Sequence, residues 1–245
     1  MPPVSSTAFA ESRGTAKPLH RPLRFSILGD SVWRCPGVEY PSKLRTRLAN
    51  ALRAHGYDIA LRNNSLEGAT AQDGIDHLKW VMKYQPDVVL LSLGANDSFA
   101  WGNDNVDAIE RNLGIIIEEL RRAGVRVLLA GMRVRHDFQW RYRWRMVAKT
   151  LLNSALEACG RPPYFHANSL QYAKRFNSLY ARVAARHDVP LYPYLLEGVT
   201  APMWHDMYHL NATGTKCVAE RLVPFIAAHI DDLAQDADAL SVAAE

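Results

Sequence analysis

The chain of 245 residues is poor in cysteine, with only three. An odd number leaves no closed disulfide framework, and such sparse use fits a reducing compartment. There is no apolar run of about 18 residues, so no segment reads as a membrane span. Residues 1–22 hold Pro2, Pro3, Ser5, Ser6, Gly14 and Pro18, and no apolar stretch long enough for the core of a secretory signal. They read as a loose leader, and the chain as cytoplasmic; the periplasmic or secreted alternative lacks a visible export signal. Charge of one sign is scarce too: 29 basic and 25 acidic residues give a net +4. That excess does not demand a nucleic-acid partner, and none is expected. Neither an internal repeat nor a low-complexity segment is found. The apolar share of 48% is enough to bury a core, and the length fits one domain.

Strand and helix patterns alternate along residues 23–232. Leu23 to Leu28 reads as a first strand. Leu44, Leu48 and Leu52 mark a helix within Tyr40 to His55, stopped by Gly56. Tyr57 to Arg62 is the next strand, and Ile75, Leu78 and Met82 mark a second helix that Pro86 closes. Asp87 to Leu93 is apolar almost throughout, as a parallel strand buried on both faces should be. Val106, Ile109, Leu113, Ile116, Ile117 and Leu120 share one face of a long helix. A strand at Val125 to Ala130, a helix at about Leu170 to Arg186, a short strand at Val189 to Tyr192 and a helix from Ala212 to Ile230 complete the order. Residues 233–245 read as a tail at a fraying helix end. This alternation predicts a parallel sheet with helices on both faces, and ligands at the carboxyl ends of its strands.

Four loops at those ends hold chemistry-bearing residues. Gly29-Asp30-Ser31 puts a serine on a tight turn, where backbone N–H groups can face an oxyanion; the same residues also make ordinary turns. Gly68 permits close approach of backbone to substrate or simply ends a loop. Asn96, in Gly94-Ala95-Asn96-Asp97, can offer its side-chain N–H to a developing negative charge. Asp206 stands three residues before His209, close enough to fix the tautomer of the imidazole. The competing readings there are a metal pair with His205 as third ligand, and a helix cap, for which Asn211 is well placed.

Taken together, these blocks resemble the SGNH hydrolase family, also called the GDSL esterase/lipase family, over Leu23 to Ile230. The similarity is greatest to its bacterial thioesterases, arylesterases and lysophospholipases. Gln85-Pro86-Asp87 and Ala130-Gly131-Met132-Arg133 match stretches of that branch. The resemblance implies a three-layer α/β/α, flavodoxin-like fold with about five strands in the order 2-1-3-4-5. It implies Ser31 as nucleophile, His209 as base and then acid, and Asp206 as its orienter. The oxyanion hole would comprise the N–H groups of Ser31 and Gly68 and the side chain of Asn96. No cofactor or metal is implied, and Asp30 becomes a support of the turn. The expected activity is hydrolysis of carboxylic esters or thioesters, including lysophospholipid or acyl-CoA. Alternatives are a carbohydrate O-acetyl esterase, and a catalytically silent lipid- or nucleic-acid-binding module.

The chain departs from the family where Val32, Trp33 and Arg34 follow the serine, where Ala69 replaces an acidic residue, and where Leu210 replaces a proline. The largest departure is an inserted segment, 133–169, after the fourth strand. Arg133, Arg135, Arg141, Arg143 and Arg145 interleave there with aromatic residues. From Arg133 to Lys149 the local net charge is +5, which leaves about −1 for the remainder. Trp144, Val147, Ala148, Leu151, Leu152, Ala155 and Leu156 follow at helical spacing, ended by Gly160, Pro162 and Pro163. Three readings compete: a surface helix whose apolar stripe packs on the body, a lid or wall of the acyl pocket, and a contact for anionic head groups or a membrane surface. Trp33, Trp101 and Trp204 line the acyl pocket or belong to the core. Cys35 is read as a non-nucleophile.

Overall fold

The computed structural model describes residues 21–99, 105–133, 148, 151–161 and 170–242. Five parallel strands form one sheet: β1 (Leu23–Gly29), β2 (Ile59–Asn63), β3 (Val88–Ser92), β4 (Arg126–Ala130) and β5 (Leu191–Tyr192), in the order β2-β1-β3-β4-β5. β1 pairs with β3 through Phe25↔Val88 to Gly29↔Ser92, and β3 pairs with β4 through Val88↔Arg126 to Leu91↔Leu129. All five β3 residues are buried, as their unbroken apolar run requires in a strand covered on both faces.

The helices are α1 (Ser31–Arg34), α2 (Leu44–Ala54), α3 (Ala71–Lys83), α4 (Val106–Arg122), α5 (Leu170–His187) and α6 (Ala212–Val242). α2 packs against α6, while α4 packs against α3 and α5, giving the three-layer α/β/α arrangement. Each layer exists because a helical apolar stripe needs a sheet face. On α4, Ile109, Leu113, Ile116, Ile117 and Leu120 are fully buried, at roughly 1.5–3 kcal/mol for each such side chain. Glu110 lies on the same helix, buried, because Arg182 Nε and Nη2 of α5 donate to its Oε2 at 3.0 and 2.8 Å. A buried carboxylate is tolerated when it is paired and hydrogen-bonded in this way.

Several boundaries differ from the pattern read in the sequence. α2 begins at Leu44, not Tyr40. Lys43 is extended at its N-cap, and the preceding turn is held by Thr215, whose Oγ1 donates to Ser42 O at 2.7 Å. β2 begins at Ile59, because Tyr57 reaches across to α6, where its hydroxyl donates to Asp231 Oδ1 at 2.8 Å. β5 has only two residues. α6 continues through the residues read as a tail as far as Val242, consistent with their richness in helix-forming alanine. The inserted segment contains a helical stretch at residues 151–158, ended by Gly160 at φ +67. Its apolar stripe does not turn inward there: Leu151 and Leu152 are 65% and 47% exposed, while Asn153 is fully buried. Arg135, Arg141, Arg143, Arg145 and Trp101 lie outside the described residues. Among the described residues, no helix is long and apolar enough to cross a membrane.

Candidate active site

The loop after β1 is built around one missing side chain. A Cβ on Gly29 would stand 2.5 Å from Trp33 Cδ1 and 3.0 Å from Ser92 O. Gly29 thus lets Trp33 fold back beneath the turn, where it is fully buried. The large residue after the serine therefore fills the core and leaves the mouth of the site free of it. Asp30 caps α1, its Oδ1 accepting the Val32 N–H at 2.9 Å. Asp30 is buried, 2% exposed. Burial pushes its pKa up to about 6, against the opposing pull of the Val32 N–H and the charge of His209. Ser31 follows as the first residue of α1, half-buried. Cys35 ends the turn at φ 50 with its thiol buried. Its Sγ donates to Val32 O and accepts from Leu44 N, and burial raises its pKa, which makes it a latch and a poor nucleophile.

The loop after β2 is tied to the first. Leu66 N–H donates to Gly29 O at 3.1 Å, and Asn63 Nδ2 donates to Trp33 O at 2.9 Å. Gly68 sits at φ +73 with nothing within 4 Å of a Cβ position. Backbone conformation, and not crowding, calls for glycine there. The loop after β3 is tied to the second. Asn96 Nδ2 donates to Ala69 O at 2.9 Å, and Asp97 Oδ2 accepts the Ala71 N–H at 2.9 Å. An asparagine amide carries two N–H groups, and the bond to Ala69 O uses one of them. Gly94, at φ +109, makes room for Tyr180, whose hydroxyl would stand 2.6 Å from a Cβ.

The loop before α6 brings Asp206 and His209 into direct contact: His209 Nδ1 lies 2.7 Å from Asp206 Oδ2. Asp206 Oδ1 accepts the backbone N–H groups of Tyr208 and His209 at 2.7 and 2.8 Å. Burial works to raise the carboxyl pKa, but the histidine and the two backbone donors outweigh it and hold the group below its ordinary value. Asn211 caps α6, its Oδ1 accepting from Thr213 N and Gly214 N, so the helix starts firmly with Leu210 after His209. This loop meets the serine loop through His205, whose ring lies 2.5 Å from a Gly37 Cβ position. Packed there, His205 does not join His209 as a ligand. Among the described residues, no group of three His, Cys, Asp or Glu side chains stands where it could hold a metal ion.

The five residues singled out in the sequence thus lie on four loops at one edge of the sheet. Asp206 is bonded to His209, and Asn96 is bonded to the Gly68 loop. Among the described residues, no hydrogen bond joins Ser31 to His209. A cleft of about 740 Å³ between α4 and α5 lies elsewhere and is lined by the ion-paired Glu110, Arg175, Arg182 and Arg186. Trp204 is half-buried beside the His209 loop. Reading the sequence missed Tyr180, whose hydroxyl donates to Leu93 O at 2.8 Å, and Tyr172, whose hydroxyl donates to Asn105 Oδ1 at 2.9 Å. Its only trace there is three aromatic residues, 172, 176 and 180, spaced four apart.

Residues 27–217 match the model of the GDSL-like lipase/acylhydrolase family. The chain is 26% identical over 208 residues to an arylesterase of Vibrio mimicus, covering 83% of this chain and 88% of that one. It is 25% identical over 174 residues to the esterase TesA of Pseudomonas aeruginosa, covering 71% of each. Its fold matches that of the psychrotrophic esterase EstA from Pseudoalteromonas sp. with a TM-score of 0.66 at 20% identity, over 85% of this chain and 99% of EstA. With its fold, its four motif loops and this match, the chain belongs to the GDSL-like lipase/acylhydrolase family and is a carboxylic ester hydrolase.

Proposed function

We propose that the protein cleaves acyl esters or thioesters through an acyl-Ser31 intermediate. The observation that carries this reading is the 2.7 Å hydrogen bond between His209 Nδ1 and Asp206 Oδ2, at the sheet edge that also bears Ser31. With Nδ1–H donated to the carboxylate, Nε2 is the basic nitrogen. Ser31 Oγ attacks the carbonyl carbon, and its proton passes to His209 Nε2. The oxyanion accepts hydrogen bonds from the N–H groups of Ser31 and Gly68 and from Asn96 Nδ2. Collapse breaks the bond to the leaving alcohol or thiol, which takes the proton from His209. Water, deprotonated by the same nitrogen, then frees the carboxylic acid and restores Ser31. Ser31→Ala is expected to abolish turnover of p-nitrophenyl acyl esters while leaving the far-ultraviolet circular dichroism unchanged; retained turnover contradicts the reading.

The substrate contact is read as apolar, because Leu66 and Tyr208 are 40% and 43% exposed on the loops of Gly68 and His209. A panel of acetyl to long-chain esters, acyl-CoA and acetylated sugars discriminates the acyl esterase from a carbohydrate O-deacetylase, which would favour acetyl groups. A second reading concerns the inserted segment. Its outward Leu151 and Leu152, together with Arg133, Arg135, Arg141, Arg143 and Arg145, suit an anionic head group or membrane surface. Co-sedimentation with anionic liposomes that salt abolishes, and none with neutral liposomes, is the expected result.

A further inference from the structure

α5 reaches the Asn96 turn from behind with side chains that the reaction above does not use. Tyr172, Phe176 and Tyr180 lie four residues apart along it and are 3%, 1% and 2% exposed. Tyr180 Oη donates to Leu93 O at 2.8 Å, just ahead of Gly94. Tyr172 Oη donates to Asn105 Oδ1 at 2.9 Å, and Asn105 Nδ2 donates to Asp97 O at 2.6 Å. The Asp97 carboxylate in turn holds the Ala71 N–H, and Asn96 holds Ala69 O. The backbone of residues 93–97 is therefore fixed on both flanks, by Tyr180 at one end and by the Tyr172–Asn105 pair at the other.

This matters for Asn96 because only one of its two side-chain N–H groups is engaged by Ala69. The aim of the other follows the backbone of the turn, and a misplacement of about 1 Å at a reacting centre can cost about 10²-fold in rate. Each hydroxyl buried by α5 reaches a carbonyl of this turn or the residue that holds it. We infer that Tyr172, acting through Asn105, is a positioning residue that aims the Asn96 amide at the oxyanion. The inference rests on the acyl-Ser31 reading.

Tyr172→Phe removes one hydroxyl and keeps the ring. The test is a double-mutant cycle with Asn96→Ala, reading kcat and KM on a p-nitrophenyl ester and the melting temperature. Tyr172→Phe is expected to lower kcat roughly tenfold with KM within about twofold in the Asn96 protein, and to change kcat by less than about twofold once Asn96 is alanine. Asn105→Ala run through the same cycle should repeat the pattern, and it decides the matter if Tyr172→Phe fails to fold. An equal loss in both backgrounds, or no loss in either, overturns the positioning role. An Asn96→Ala protein with wild-type kcat overturns the oxyanion reading itself.

Discussion

His209 Nδ1 lies 2.7 Å from Asp206 Oδ2, while the other oxygen of that carboxylate accepts the N–H groups of Tyr208 and His209. The backbone thus fixes which way the carboxylate faces. In Asp206→Asn, the amide oxygen would take the two backbone donors and the NH2 group would face Nδ1. That forces the proton onto Nε2, the nitrogen needed as base. The expected loss in kcat is about 10³–10⁴-fold with little change in KM, measured on p-nitrophenyl esters. A loss below tenfold would show that the carboxylate does not set the tautomer.

Asn96→Ala removes the proposed oxyanion donor and the tie to Ala69 O. kcat is expected to fall by about 10²–10³, corresponding to ~2.7–4 kcal/mol of transition-state stabilisation. An effect confined to KM would make Asn96 a binding residue.

Gly29→Ala tests the packing beneath Ser31. The added methyl would stand 2.5 Å from Trp33 Cδ1 and 3.0 Å from the Ser92 carbonyl. Trp33 is fully buried and cannot move aside freely. Urea unfolding should report a loss of about 1–3 kcal/mol, and the displaced turn should lower kcat as well. An unchanged midpoint would mean that the turn absorbs the clash.

The buried carboxyl of Asp30 gives a pH signature. It titrates near 6 when folded, against an ordinary value of 3.8. Between those values the folded state holds the extra proton, so this group favours folding at low pH. That contribution is lost as pH rises through 6. Asp30→Asn keeps an oxygen for the Val32 N–H and removes the titration. Relative to it, the wild type should lose up to about 3 kcal/mol of stability between pH 4 and 7. Parallel stability–pH curves for the two proteins would refute the shift.

The sequence announced what is local and withheld what depends on distant partners. Asp87 to Leu93 reads as a buried strand because its central residues are apolar and all of Val88–Ser92 are buried. Asp206 and His209 lie within one turn, so their pairing is visible as spacing. Trp33, two residues after Ser31, suited the pocket and the core equally as sequence; its place in the core depends on the absent side chain of Gly29. Tyr172 and Tyr180 gave no signal in the sequence beyond their spacing, since the groups that their hydroxyls meet, Asn105 and Leu93, lie 67 and 87 residues away. The apolar spacing of the inserted helix left a packed stripe, a lid and a surface contact all open; Leu151 and Leu152 are exposed and Asn153 is buried, an orientation that spacing alone does not set.

The central claim is that an acyl group is carried on Ser31. It is tested most directly by treating the protein with a fluorophosphonate and mapping the adduct by peptide mass spectrometry. A single stoichiometric adduct on the Ser31 peptide, absent in Ser31→Ala, is the predicted result. No adduct, or one that persists in Ser31→Ala, would contradict the account.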